Sequence, residues 1–428
     1  MDYLSEQPSL SSDSSPNSSL ESPPFLISGS SHGSLSTDSE QSIQLMIEEL
    51  DQMCYLPDLV QEQRAVLTNP FNVCKILRSH PNARAKLVVY FLRLEQSTKD
   101  FVWTLVENIC SFIRRRTDLS DGHLLGFHSM LKLGTFLMDA GWQAEAIILL
   151  NIASGQAKGQ TIKLLTVLKT LLLAESLSNR EEAAFSTLSQ IHTLAGMAES
   201  IPMALTVELH NSFAVSFFEK LDFNSSYQQG LLALQLLGEG THRNEVKIGV
   251  FRQLSKSCLA KGRPVQAKLL ITQAVSWALH CFGSSSVIYA EVLEDYAFYL
   301  LMMNAYEDAV SATNEAKNIY YKQYGPLALQ AELAQGNLAF RMYIDNQKFY
   351  DMVNVDQYIE YIGGTNDKRR QLAITGSDDR QMLAVKRMRT MMVIRKLYQY
   401  GSTTTPNDRI ENVQTQRTVN EIKNMFFQ

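Results

Sequence analysis

Pairs of small residues, separated by twelve positions, recur along the middle of this chain. They are Gly134/Ala146, Ala174/Ser186, Ala214/Ser226, Ser255/Ala267 and Ala297/Ala309, followed by an oversized pair at Phe340/Met352. Paired helices that approach closely admit only Gly, Ala or Ser at the point of contact. The second members follow one another at intervals of 40 to 43 residues, and a period of about 20 to 50 residues is typical of stacked helical hairpins. The spacing therefore predicts an all-α, tetratricopeptide-like helical-hairpin solenoid.

Turn residues lie where this arrangement needs them. Gly141-Trp142, residues 261–264 and residues 304–306 fall between the two helices of a predicted hairpin. Gly283 and Gly325 follow second helices, where a glycine commonly ends a helix. The interval exceeds the roughly 34 residues of the standard tetratricopeptide unit, so we expect longer helices or longer connections.

Composition divides the chain into five regions. Residues 1–40 contain 15 serines, four prolines and six acidic residues without Lys or Arg, a composition that predicts a disordered tail. Residues 41–125 are predicted to form an N-terminal helical region, and residues 126–362 the repeat array. Residues 363–400 are predicted to form a basic helix region, and residues 401–428 a mobile tail.

Bulk properties exclude several classes of protein. The formal charge of −5 and the pI near 6.0 give no general attraction to nucleic acid. Five scattered cysteines without a signal-like N-terminus predict reduced thiols and a cytoplasmic location. Charged residues interrupt every apolar run before the roughly 20 residues that a membrane span needs, so no insertion into a membrane is expected.

Catalytic and metal-binding patterns are missing from the sequence. It contains neither phosphate-binding glycine loop, nor a G-x-S-x-G elbow, nor an H-E-x-x-H pair. The eight histidines do not group with cysteines or carboxylates at metal-ligand spacing. We therefore predict a protein that is not an enzyme and needs no cofactor or metal. Trp142 and Trp277 are assigned to helix packing rather than to base stacking.

A candidate binding groove follows from the repeat register. The first helix of each hairpin lines the concave side of such an array, and residues three before and one after its small residue project into the groove. This rule selects Asn211, Arg252, Lys256, Glu294, Asn337 and Arg341. Their amides and charges could hold an extended peptide by its backbone and carboxylates, or they could be ordinary polar residues of the surface.

Two stretches carry a family resemblance. Residues 250–310, which begin VFRQLSKSCLAKGRPVQAKLL, and FLMDAGWQAEA at residues 136–146 resemble repeats of the amyloid protein-binding protein 2 family. The resemblance implies an adaptor for protein cargo that is associated with microtubules and related in repeat style to kinesin light chains. It also implies a substrate receptor of an elongin–cullin ubiquitin ligase.

Particular residues match the docking segments of that family. There, an N-terminal helix docks on elongin C, and a following segment that contains Leu-Pro meets the cullin. The matching positions here are Ile43, Ile47, Leu56, Pro57, Val60 and Gln61. The resemblance thus implies elongins B and C and a cullin as partners. The alternative is an adaptor for intracellular transport, bound to microtubules or kinesin without a ligase link, and the nucleus is a second location to consider.

Overall fold

A computed structural model describes residues 67, 69–79, 84–97, 101–115, 126–178, 180–238, 242–325 and most positions from 330 to 338. Thirteen helices have described bounds, the described positions from 330 to 338 are helical as well, and none of the described residues lies in a strand. The helices are α1 Pro70–Ser79, α2 Arg84–Ser97, α3 Phe101–Arg115, α4 Phe127–Ala140, α5 Gln143–Gln156, α6 Thr161–Leu177, α7 Glu181–Met197, α8 Met203–Glu219, α9 Phe223–Leu237, α10 Asn244–Ala260, α11 Pro264–Phe282, α12 Val287–Met302 and α13 Tyr306–Tyr324. The predicted tail 1–40 and the regions 363–400 and 401–428 lie outside the described residues, as does the pair Phe340/Met352.

Helices α4 to α13 pair into five hairpins, so the predicted all-α, tetratricopeptide-like solenoid is confirmed. The first helices of successive hairpins, α4, α6, α8, α10 and α12, contact one another and form a continuous layer. Second helices lie farther from each other. This difference curves the array with its first helices on the concave side. Helices α1 and α3 pack on the first hairpin, and α2 contacts both α3 and α13.

The predicted small pairs mark close approach between paired helices. A Cβ at Gly134 would lie 2.9 Å from Leu150 Cγ, 3.0 Å from its Cδ2 and 3.4 Å from the carbonyl oxygen of Ala146. Glycine is therefore the residue that fits without displacing Leu150.

Serine at these positions adds a hydrogen bond between the paired helices. Ser226 Oγ donates to the carbonyl oxygen of Ala214 at 2.7 Å, and Ser255 Oγ donates to that of Ala267 at 3.0 Å. Both contacts span twelve residues, as the sequence predicted.

All five first helices end with the same backbone hydrogen bond. The N–H groups of Trp142, Arg180, Asp222, Arg263 and Ala305 donate to the carbonyl oxygens of Leu137, Glu175, Phe217, Cys258 and Leu300. In the four hairpins where the residue before the donor is described, that residue has a positive φ: Gly141 (99°), Leu221 (62°), Gly262 (67°) and Asn304 (60°). Three of these turns were predicted, whereas Leu221 carries no turn signal because leucine rarely adopts this conformation.

The predicted pair Ala174/Ser186 is wrong by two residues. In the other four hairpins, the carbonyl group that accepts the backbone hydrogen bond at the end of the first helix lies three residues after the small position. The acceptor in the second hairpin is Glu175, so the equivalent of the small position there is Leu172. Ala184, twelve residues later, is buried, whereas Ser186 is exposed. The acceptors advance by 38, 42, 41 and 42 residues. A search for small residues cannot find this register because its first member is a leucine.

Candidate functional site

Ion pairs join the first helices of consecutive hairpins at a fixed register. Lys169 on α6 pairs with Glu208 on α8. Arg252 on α10 pairs with Glu291 on α12 at 2.5 Å. In both pairs the basic residue lies three positions before the small position of its hairpin, and the acidic residue lies six before that of the next. We use the name polar ladder for the positions three and six residues before the small position on the first helices from α6 to α12.

The basic residues predicted to bind a ligand are held by the chain itself. Arg252 Nε also bonds Asp295 Oδ2 at 2.6 Å, and Lys256 Nζ lies 3.6 Å from Asp295 Oδ1. Burial opposes the charge of Arg252, but Asp295 and Glu291 outweigh it and raise the pKa of the guanidinium. Arg252 and Lys256 are therefore engaged within the array, and a ligand carboxylate would have to displace Asp295 or Glu291.

The ion pair between α6 and α8 is also neutralised within the array. Arg243 Nη2 lies 3.1 Å from Glu208 Oε1, in addition to the contact of Glu208 with Lys169. Burial raises the pKa of Glu208, but the two cations reverse this effect and leave its pKa below the ordinary value. Glu208 thus remains ionised as a structural link between α6 and α8.

Glu294 and Asn337 are brought together, as members of one predicted site should be. Asn337 Nδ2 donates to Glu294 Oε1 at 2.9 Å, and the Tyr320 hydroxyl donates to Glu294 Oε2 at 3.3 Å. Asn337 is buried, so this contact secures the helical turn after α13 to α12. The predicted residues outside the described part of the chain are Arg341 in the groove and, for docking, Ile43, Ile47, Leu56, Pro57, Val60 and Gln61.

Between the two charged junctions, the ladder positions hold Asn211 on α8 and Gly249 on α10. A Cβ at Gly249 would make an ordinary van der Waals contact with Asn211 Nδ2 at 3.6 Å, and no other heavy atom of a neighbouring element lies within 4 Å of it. Asn211 Oδ1 is buried and has no hydrogen-bond partner among the described residues. We name this feature the Asn211–Gly249 notch. Two other buried side-chain atoms, on His242 and Gln330, also have no hydrogen-bond partner among the described residues, but both residues border segments outside the described ranges.

The notch has a definite chemical requirement. A buried carbonyl oxygen without a donor costs about 1 to 3 kcal/mol. The absent side chain at Gly249 gives a backbone room to approach the Nδ2 side of the amide, where a peptide carbonyl oxygen would accept a hydrogen bond. A peptide N–H would satisfy Oδ1 only after displacing the groups that bury it. The arrangement is suited to binding a main chain rather than to proton transfer or metal ligation.

Sequence reasoning missed the acidic half of the ladder. Glu208 and Glu291 each lie six positions before a small residue, a spacing visible in the sequence but not searched. Lys169 was hidden by the register error, because it lies three positions before Leu172 rather than before Ala174.

The remaining expectations concern aromatic residues, metals and membranes. Trp142 is buried, and Trp277 stacks on Phe251 with ring centroids 5.2 Å apart, which confirms that both rings pack against helices. Across the described ranges, no three His, Cys, Asp or Glu side chains are placed to bind a metal. None of the described helices combines the length and apolarity of a membrane span.

Known proteins show a distant similarity to this chain. The proteins named amyloid protein-binding protein 2 of Rattus norvegicus and Mus musculus are 29% identical over 136 residues, which are 32% of this chain and 23% of each relative. The chain thus matches less than a quarter of their length. No family model matches. Two solved structures also match part of this chain.

The first solved structure is BtubC (BKLC) from P. vanneervenii, with a TM-score of 0.37 and 11% identity over 63% of this chain and 93% of that one. The second is a signal-transduction ATPase with a tetratricopeptide repeat sensor from Pyrococcus horikoshii. It has a TM-score of 0.39 and 12% identity over 86% of this chain and 53% of that one. The sequence match indicates a distant tetratricopeptide-like relationship.

Proposed function

We propose that this chain is a non-catalytic adaptor that binds an extended segment of a partner protein at the Asn211–Gly249 notch. The observation that carries the proposal is the amide of Asn211, whose Oδ1 is buried without a partner and whose Nδ2 faces a residue without a side chain. A main-chain carbonyl of the partner accepts from Nδ2 on the Gly249 side, and a main-chain N–H donates to Oδ1 once the partner displaces the groups that bury it. Backbone recognition of this kind supplies affinity, and neighbouring side chains supply selectivity.

The ion pairs on either side determine which side chains the partner presents. Arg252 and Lys169 are occupied, with 22% and 17% of their side-chain surface exposed. Glu291 is 41% exposed and is the most accessible carboxylate of the ladder ion pairs. A basic side chain of the partner therefore meets Glu291 without displacing Arg252, whereas an acidic one finds no free cation in these pairs.

Peptide selection tests the proposal. Peptides selected by phage display on the full chain are measured by fluorescence anisotropy against the wild type, Asn211→Ala and Gly249→Glu. Asn211→Ala removes the acceptor, and Gly249→Glu fills the notch with the residue type that stands at this ladder position on α8 and α12. We expect a roughly 5- to 150-fold loss of affinity in Asn211→Ala, because a lost buried hydrogen bond corresponds to about 1 to 3 kcal/mol. Gly249→Glu should weaken binding as well, because its side chain occupies the space that the partner needs.

Matched variants elsewhere provide the controls. Asn108→Ala removes an exposed amide on α3, and Gly155→Ala changes a glycine on α5 that has open space around it. Both should bind the selected peptides as the wild type does. Wild-type affinity in Asn211→Ala and Gly249→Glu would contradict binding at the notch.

We further propose that the adaptor is a substrate receptor of an elongin–cullin ubiquitin ligase in the cytoplasm. The resemblance at residues 43–61 supports this proposal. Elongins B and C should co-purify with the full chain and be lost when Leu56→Ala is combined with Pro57→Ala. Absence of elongins from the wild-type complex would contradict it. Microtubule co-sedimentation that the double variant retains would favour the transport alternative.

The name of these relatives describes binding to amyloid protein, and we propose the amyloid precursor protein as a candidate cargo. Overlapping peptides from its sequence can be measured in the same anisotropy assay. Binding to the wild type that is lost in Gly249→Glu supports this identity. Binding that is equal in both proteins would assign the contact to another surface.

A further inference from the structure

Helix α2 is buried on more than one face. Leu87, Tyr90, Phe91 and Leu94 form one face and are each at most 2% exposed, and Val88 and Leu92, about 100° farther around the helix, are at most 7% exposed. A helix that caps one end of an array needs to bury a single face, whereas a helix that is apolar all round lies between several neighbours. The burial of α2 therefore requires contacts beyond those of an end cap.

Two sets of contacts account for this burial. The ring of Phe91 lies 5.3 Å from that of Phe101 on α3, 5.4 Å from Phe136 on α4 and 6.0 Å from Trp142 at the turn of the first hairpin. The same helix also packs against α13, the second helix of the fifth hairpin. Helix α2 thus contacts the first and the fifth hairpin.

An independent contact joins the same two ends. Gln330, just beyond α13, donates a hydrogen bond from Nε2 to the carbonyl oxygen of Asp139, which lies 191 residues earlier at the end of α4. The five hairpins therefore curve until the last of them returns to the first.

We propose that α2 is a clasp that holds the two ends of the array together and thereby sets the shape of its concave side. The first helices that form the polar ladder lie between the clasped ends. A change in the clasp alters the distance between these helices. A partner that binds the N-terminal helices and a ligand at the notch therefore act on the same equilibrium between a narrower and a wider concave side. This coupling rests on the proposed function, whereas the clasp itself does not.

Hydrogen exchange measured by mass spectrometry on the full chain tests the clasp. Ala309→Leu overpacks the contact between α12 and α13, where Ala309 is fully buried. In an open array this disturbance would weaken with each hairpin away from the fifth. A clasp instead transmits it directly to α2. We expect amide exchange in α2 to accelerate roughly tenfold or more while exchange in α6 and α7 stays at the wild-type rate.

Ala233→Leu is the matched control, because Ala233 is equally buried but lies on α9 in the middle of the array. It should accelerate exchange in α8 to α10 and leave α2 unchanged. If Ala309→Leu fails to fold, Ile319→Ala creates a cavity in the same helix with a milder effect. Unchanged exchange in α2 when α13 is loosened, or equal effects of the α9 and α13 variants, would overturn the clasp. Neither result depends on peptide binding.

Discussion

The same substitution should have opposite effects at two helical glycines of this array. Gly249 lies inside α10 and Gly134 inside α4, and glycine in a helix interior costs about 0.5 to 1 kcal/mol relative to alanine. Gly249→Ala places its Cβ 3.6 Å from Asn211 Nδ2, which is an ordinary van der Waals contact. This variant therefore keeps the whole gain in helix propensity, and its unfolding free energy should rise by about 0.5 to 1 kcal/mol.

Gly134→Ala makes the same intrinsic gain but meets the core. Its Cβ would lie 2.9 and 3.0 Å from Cγ and Cδ2 of Leu150, a side chain that is fully buried. Overpacking of this kind costs about 1 to 3 kcal/mol. The net effect is a loss of up to about 2.5 kcal/mol, which leaves the two variants about 1 to 3 kcal/mol apart.

Urea titration followed by circular dichroism, with hydrogen exchange in α10 and α4 as the local readout, measures both effects. The midpoint should rise for Gly249→Ala and fall for Gly134→Ala. Gly155→Ala, where nothing lies within 4 Å of the new Cβ, should resemble Gly249→Ala. A lowered midpoint for Gly249→Ala would refute the room for a side chain at Gly249 and, with it, the notch.

Two buried groups give further predictions. Burial raises the pKa of Glu175 above its ordinary value of 4.5, even though Thr187 and Arg180 lower it, so the folded protein loses stability as pH rises through the raised pKa. Glu175→Gln keeps an acceptor for Thr187 and should raise the thermal midpoint at neutral pH, with the gain shrinking below the ordinary pKa. Burial also raises the pKa of the Cys258 thiol to about 12, whereas Cys281 is exposed. Mass spectrometry after maleimide treatment should therefore find Cys281 modified and Cys258 unmodified until urea is added.

The sequence predicts the hairpins well because steric exclusion acts on one residue at a time. Gly134 and Ser255 must be small for their paired helices to meet, and that requirement can be read directly from the chain. Leu172 breaks the pattern because the helices of the second hairpin accommodate a larger residue at this position. A backbone hydrogen bond to Glu175, which the residue types do not encode, was needed to fix the register.

The candidate site was harder to predict because its residues act in pairs. The groove rule found Asn211 and Arg252, but it treated them alike as free groups. Their difference depends on the residue that faces each from the next hairpin: Glu291 beside Arg252, and Gly249 beside Asn211. How far a side chain on the concave face is available to a ligand depends on the residue that faces it from the neighbouring repeat.

The notch carries two energetic costs that its neighbouring junctions avoid. Gly249 sacrifices about 0.5 to 1 kcal/mol of helix propensity, and the unpartnered oxygen of Asn211 about 1 to 3 kcal/mol. Together they amount to a substantial part of the roughly 5 to 15 kcal/mol that stabilises a typical domain. A glutamate at 249 would continue the pattern of Glu208 and Glu291. Local sacrifices of this kind are typical of functional sites, and a bound main chain would remove the larger one by donating to Asn211.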